Sequence, residues 1–272
     1  MILRDGSFVR LRMSGISLYD DNKINIIIPR GQRISEPIDL RSHNAHDITI
    51  ILEPSSCATI ILRSHPGIRE ATITRRIQCI LQEQATLTLH YNEAWHETIT
   101  SKAEVAVEQK AYSMLYYNHS VQGGGQVYQQ FSLMITEPEA HAEIRGIYQV
   151  TGKGSVAMTT LQHHDAKYSV SNLQLRGTAR DTAQIHHQGT INITKNGAHT
   201  ESAQHTQLLL LSDQARATSI PNIEVLTHEV QCAHGSAIGR LDQEQLWYLQ
   251  ARGLSPDKAE QMLIDGFLIF KG

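Results

Sequence analysis

Cys232 and His234 stand two apart in the run QCAHGS. On a strand, alternate side chains leave the same face, so this thiol and imidazole would point together and could share one metal ion or cluster. Read alone, a strand cysteine is more often a small buried hydrophobe than a ligand. The remaining histidines offer less. His163-His164 and His186-His187 are adjacent pairs in strand-like segments, so each pair points to opposite faces and cannot simply chelate one metal; they read as solvated or core-edge residues. His228-Glu229 begins a zincin-like pattern, but Cys232 stands four after His228 where a second histidine is needed. Cys57 and Cys79 lie in apolar runs and read as structural. Gly152-Lys153-Gly154-Ser155 has glycine where a P-loop needs Ser or Thr after the lysine, and no Gly-x-Ser-x-Gly elbow occurs, so no nucleotide is expected on this chain.

The elements that position the Cys-x-His pair follow from periodicity. Ile223, Val225 and Val230 alternate among polar residues as strand, and past Gly239 the pattern turns helical. Asp242 is a good N-cap for a helix carrying Leu246, Trp247 and Leu249, which Gly253 would end. Ser255 caps a second helix, with Pro256 at its first position and Ala259, Met262, Leu263 and Phe267 along it. Upstream, the chain reads as short strands: SFVRLRM, INIIIP before a turn at Arg30-Gly31-Gln32-Arg33, then β-rich runs at 47–52, 58–62, 71–81 and 85–90. Between Glu93 and Lys110, Ala94, Trp95, Ile99, Ala103 and Val107 fit a helix, but the alternation of ITSKAEVAVEQ favours strand.

From Gly125 onward the strand-like segments 142–150, 155–163, 169–177, 183–193 and 204–212 follow one another with few helix signals. Every second segment recurs after about 30 residues, one turn of a solenoid with strands on two main faces. A parallel β-helix is the expected architecture; a β-sandwich or jelly roll would also give short strands with turn signals. The expected organisation is a strand-rich core over residues 1–240 and C-terminal helices over 241–272.

Composition agrees. Aromatics are 6%, which suits many short strands better than a helical bundle. Net charge is -3 and no Lys/Arg block occurs, so neither nucleic acid nor an anionic membrane is an expected partner. Three widely separated cysteines argue against a disulfide framework and fit a reducing, cytosolic setting. The start MILRDGSFVRLRM alternates and reads as a first strand instead of a signal peptide, and no apolar run approaches the roughly 18 residues needed to cross a bilayer.

The run CAHGSAIGRLDQEQLWYLQARGLSPDKAEQMLIDGF resembles the C-terminal signature of the SufB/SufD proteins, scaffold subunits of SUF iron–sulfur cluster assembly. It combines a Cys-x-His-Gly turn, a Gly-Arg-Leu-Asp entry, the Glu-Gln-Leu-Trp-Tyr-Leu helix and an Arg-Gly break in one order and spacing. Arg30-Gly31-Gln32-Arg33 with Pro37, and Gly123-Gly124-Gly125, match the SufD pattern more loosely. The resemblance implies a right-handed parallel β-helix with a short C-terminal α-helical segment, and a non-catalytic, SufD-like role with a SufB-type subunit and the SufC ATPase. It implies His234, then Cys232, as ligands of a transient iron–sulfur cluster or iron. Leu246, Trp247, Tyr248, Met262 and Phe267 become the expected ATPase-docking surface. SufB has a cysteine where this chain has Val225, another where His205 stands, and a Glu-His-Glu run in place of Cys232-Ala233-His234; these departures favour SufD. A dimer is expected, with a SufB-type partner or with itself, through strands between about Thr200 and Val230. Two rivals are a polysaccharide-active β-helix enzyme, for which Asp165, Glu143 and Arg145 are the nearby candidates, and a β-helix interaction module.

Overall fold

The computed structural model describes residues 16–19, 23–41, 46–64 and 71–270; the SFVRLRM segment lies outside them. The first strands are β1 (Ile16–Tyr19), β2 (Lys23–Ile28), β3 (Ile38–Arg41), β4 (Asp47–Leu52), β5 (Cys57–Arg63), β6 (Ala71–Leu81), β7 (Thr86–Trp95) and β8 (Ile99–Gln109). There follow β9 (Met114–Gly123), β10 (Gln126–Ile135), β11 (His141–Val150), β12 (Ser155–His164) and β13 (Val170–Ala179). The chain closes with β14 (Gln184–Ile193), β15 (Glu201–Leu210), β16 (Arg216–Val225), β17 (Gln231–Arg240), α1 (Gln243–Ala251) and α2 (Pro256–Leu268). The ambiguous stretch after Glu93 is strand, as its alternation indicates.

Beyond β1, which runs antiparallel to β2, the even strands form one parallel sheet and the odd strands from β3 form a second. The chain crosses from one sheet to the other at each turn, which makes a parallel β-solenoid. Gln126 on β10 faces Ser155 on β12, 29 positions on, and Ser155 faces Gln184 on β14 in turn. The repeat seen in the sequence is therefore the length of one coil.

One corner explains how the coils stay in step. Ser55, Gln84, Tyr112, Glu139, Tyr168 and His199 recur there, all left-handed with φ between 57° and 62°. Such a conformation costs a non-glycine residue on the order of 1 kcal/mol. Each of these residues donates its backbone N–H to a carbonyl of the next coil, from Ser55 to Glu83 through His199 to Glu229, which offsets that cost. The Tyr168 and His199 rings stack at 4.8 Å along the same line.

Alternation sends every second side chain inward, and the filling changes along the axis. The early coils are aliphatic, with Ile26, Ile28, Ile50, Leu52, Ile60 and Ile77 fully buried. Midway, Tyr91, Tyr117, Phe131 and Tyr148 are buried around a polar centre at Glu93. In the last coils the interior becomes polar: Gln162, His164, Ser171, His187, Ser202, Gln204 and Thr206 are all buried. Pro221 sits mid-strand in β16, tolerated because β16 is the last strand of its sheet.

Candidate functional site

Cys232 and His234 lie on β17, the terminal strand of the odd sheet. Their register partners on β15 are Ser202 and Gln204, 4% and 1% exposed, so the shared face is the one that looks into the solenoid. Among the described residues no coil lies above β17, and Cys232 is half-buried and His234 exposed. Partial burial pushes the Cys232 thiol up, so the free protein holds it as the thiol. A soft cation would have to displace that proton on binding. The pair is a fitting but incomplete donor set: among the described residues no three His, Cys, Asp or Glu side chains converge.

Beneath the pair lies a set of side chains that periodicity alone did not single out. His164 contacts the Ser169 hydroxyl at 2.7 Å and the Ser171 hydroxyl at 2.8 Å. His187 contacts Thr160 and Thr206 at 3.0 Å each. Burial foremost, with the neighbouring histidine of each pair adding to it, lowers both imidazoles to about 4. The reading of these pairs as solvated or core-edge is corrected here for one member of each: hydroxyls occupy both ring nitrogens, from one coil for His164 and from two coils for His187, so each ring is satisfied without water. Their neighbours behave as the face rule requires, with His163 outside, bonded to Asn192 at 2.8 Å, and His186 exposed. The Gln162 amide nitrogen reaches Ser171 at 2.7 Å, while the side-chain oxygens of Gln162, Gln204 and Ser219 are buried without a partner. An orphaned buried acceptor costs about 1–3 kcal/mol. The signal available in the sequence was the column Ser171, Ser202, Cys232, which only the coil register makes visible.

Two of the three places where the sequence departs from the expected SufB pattern fall on different faces. Val225 ends β16 in register with buried Ile193 and turns inward, whereas His205 is exposed on the outer face. The acids considered for a polysaccharide-active enzyme are engaged elsewhere. Glu143 is bonded by His141 and Asn172 at 3.3 Å each, and Asp165 accepts from Thr194 and Asn196. Arg145 lies over the Phe270 ring. Cys79 is buried, with its thiol pushed up to about 12, and Cys57 is half-buried.

After β17 the Asp242 carboxylate accepts the Glu244 N–H at 2.9 Å and caps α1. Gly253, at φ +94°, ends it. Ser255 occupies the N-cap of α2 without a side-chain cap bond, and Pro256 stands at the first position. Arginines fasten α2 to the odd sheet: Arg176 donates to the Phe267 and Ile269 carbonyls and lies over the Phe267 ring, and Arg180 pairs with Glu260 at 2.6 Å. Ala259, Ile264 and Leu268 are buried beneath it. In α1, by contrast, no residue is buried. Trp247, Tyr248 and Met262 are 64%, 59% and 58% exposed, while Leu246 and Phe267 are half-buried. Between the helices lies a cleft of about 500 Å³ lined by Asp242, Tyr248, Leu249 and Leu263.

Residues 38–267 match the family model described as SUF system FeS cluster assembly, SufBD core domain. The chain belongs to the SufBD family. An iron–sulfur cluster assembly SufBD family protein of Mycobacterium leprae is 26% identical over 216 residues, 76% of this chain and 55% of that protein. The SufD proteins of Escherichia coli and Bacillus subtilis are 32% identical over 110 residues and 31% over 121, covering 40% and 44% of this chain but 26% and 28% of their own lengths. Matched segments thus span about half, or less, of these relatives. The parallel solenoid with two short C-terminal helices agrees with the fold that the SufB/SufD resemblance led us to expect. Among the described residues no helix is long and apolar enough to cross a membrane.

Proposed function

We propose that this SufBD-family chain is a SufD-like, non-catalytic scaffold subunit that holds a nascent iron–sulfur cluster as cargo, in the cytoplasm, between itself and a SufB-type subunit or a second copy of itself. One observation carries the reading: Cys232 and His234 share the inward face of a terminal strand, at the end of a solenoid with a polar interior. Two donors on an open edge make half of a ligand set, and a partner strand would supply the rest. Exposed Ile220, Ile223, Leu226 and Ile238 support pairing at the same end, since unpaired strand edges with apolar residues invite another chain. Energy input would come from a SufC-type ATPase on α1 and α2, with Trp247 and Tyr248 as anchors, Leu246 and Met262 beside them, and Phe267 shared with the body.

Anaerobic co-expression with SufB-type and SufC-type subunits tests this, reading subunit copies by light scattering together with iron and acid-labile sulfide. The expected outcome is a stable complex carrying both elements. A monomeric chain that joins no such complex and gains neither element would overturn the reading.

A further inference from the structure

We infer that Gln204 is a positioning residue for His234, an inference that rests on the ligand role proposed above. Gln204 is 1% exposed, yet its side-chain carbonyl has no donor. It stands in register with His234 on the neighbouring strand, both on the inward face. Adjacent strands are about 4.8 Å apart, within reach of two such side chains. The space for this amide is prepared from the opposite sheet. Gly189 lies beneath it, and a Cβ there would come within 2.2 Å of the Gln204 carbonyl oxygen and 2.4 Å of its nitrogen. Any larger residue at 189 would displace the amide.

An imidazole that ligates a metal through one nitrogen normally donates its other N–H to a fixed acceptor, which selects the tautomer and aims the lone pair. The Gln204 carbonyl is a buried acceptor with that donor missing. When His234 turns into the solenoid, its N–H meets this oxygen and the second nitrogen faces out past the terminal coil, beside Cys232. No proton changes hands; the contact orients the ring.

Anaerobic titration of the full chain with Co(II), followed by thiolate-to-cobalt absorption, tests the inference. Gln204→Met keeps the volume without the acceptor and is expected to weaken Co(II) binding about tenfold, at an unfolding midpoint equal to or above that of wild type. Gln204→Glu restores an acceptor and should bind as wild type does. In a His234→Ala background, Gln204→Met should add no further loss. Wild-type affinity in Gln204→Met beside weakened binding in His234→Ala removes the positioning role and leaves the ligand reading standing; it would mean that water fills the acceptor. An equal loss from Gln204→Met with and without His234 also overturns the inference. Unchanged binding in both His234→Ala and Cys232→Ala removes the ligand reading itself, and the positioning role with it.

Discussion

Glu93 and Gln204 are both buried inside the same solenoid, and their surroundings answer them in opposite ways. Glu93 in the middle coils receives Tyr91, Trp95 and Ser101 on one oxygen, at 3.0, 3.0 and 2.6 Å, and His119 on the other at 3.0 Å. Burial alone would raise this carboxyl, but the hydrogen bonds and the His119 charge prevail and hold it below its usual value. Around it Tyr91 and His119 stack at 5.2 Å. Both carboxylate oxygens are engaged by side chains of the surrounding coils, so the work of this centre is to hold the fold. Near the C-terminal end the Gln162, Gln204 and Ser219 oxygens are left over, and Gln204 stands in register with His234 on the next strand. Gln109 and Gln129 in the middle coils also leave a buried side-chain oxygen unpaired, so an orphaned acceptor alone assigns no role; Gln204 differs in standing beside the open terminal strand.

The strongest way to break this contrast is to remove the satisfied carboxylate. Glu93→Ala strands four donors in the interior, and loss of one member of a buried charged network costs about 3–5 kcal/mol. Urea unfolding should show that loss with cluster chemistry at the far end intact in whatever fraction stays folded. A loss below about 1 kcal/mol would deny the middle centre its structural role.

Acid should separate the two regions next. His164 and His187 have folded values of about 4, below the unfolded 6.5, so their contribution is complete above pH 6.5 and is lost as pH falls toward 4. At pH 5 each imidazole has given up on the order of 2 kcal/mol. Glu93 runs the other way in group and window: its depressed value stabilises above about 4.5 and is lost only below that. Hydrogen exchange at pH 5, corrected for intrinsic rates, should therefore show β12 to β15 loosened while β7 to β9 stay protected. Equal loosening of both would contradict the assignment.

The smallest expected effect comes from Ser219→Ala. Its hydroxyl is buried without a partner, so removing it should raise the unfolding free energy by about 1 kcal/mol, where an equivalent change at Ser101 would remove a donor to Glu93 and lower it.

Much of this was legible beforehand, for identifiable reasons. The coil length came through because a fixed spacing repeats hydrophobic alternation whatever the residues are. Asp242, Gly253 and Pro256 gave the helix ends because caps depend on local backbone geometry. Cys232 and His234 share a face because the period of a strand is two. What could not be read was which of two faces is the interior for polar segments: His164 and His187 look as hydrophilic as His163 and His186. Only stacking decides that hydroxyls from Ser169, Ser171, Thr160 and Thr206 close over one member of each pair. The Glu93 centre was invisible for the same reason, since its donors come from β7, β8 and β9.

The most direct test of the account is the iron and sulfide content of the anaerobically assembled complex with His234→Ala or Cys232→Ala in this chain, measured beside the unfolding midpoint. The account predicts a clear loss of cluster, larger for His234→Ala, with assembly and midpoint unchanged. Wild-type cluster content in both variants would contradict it.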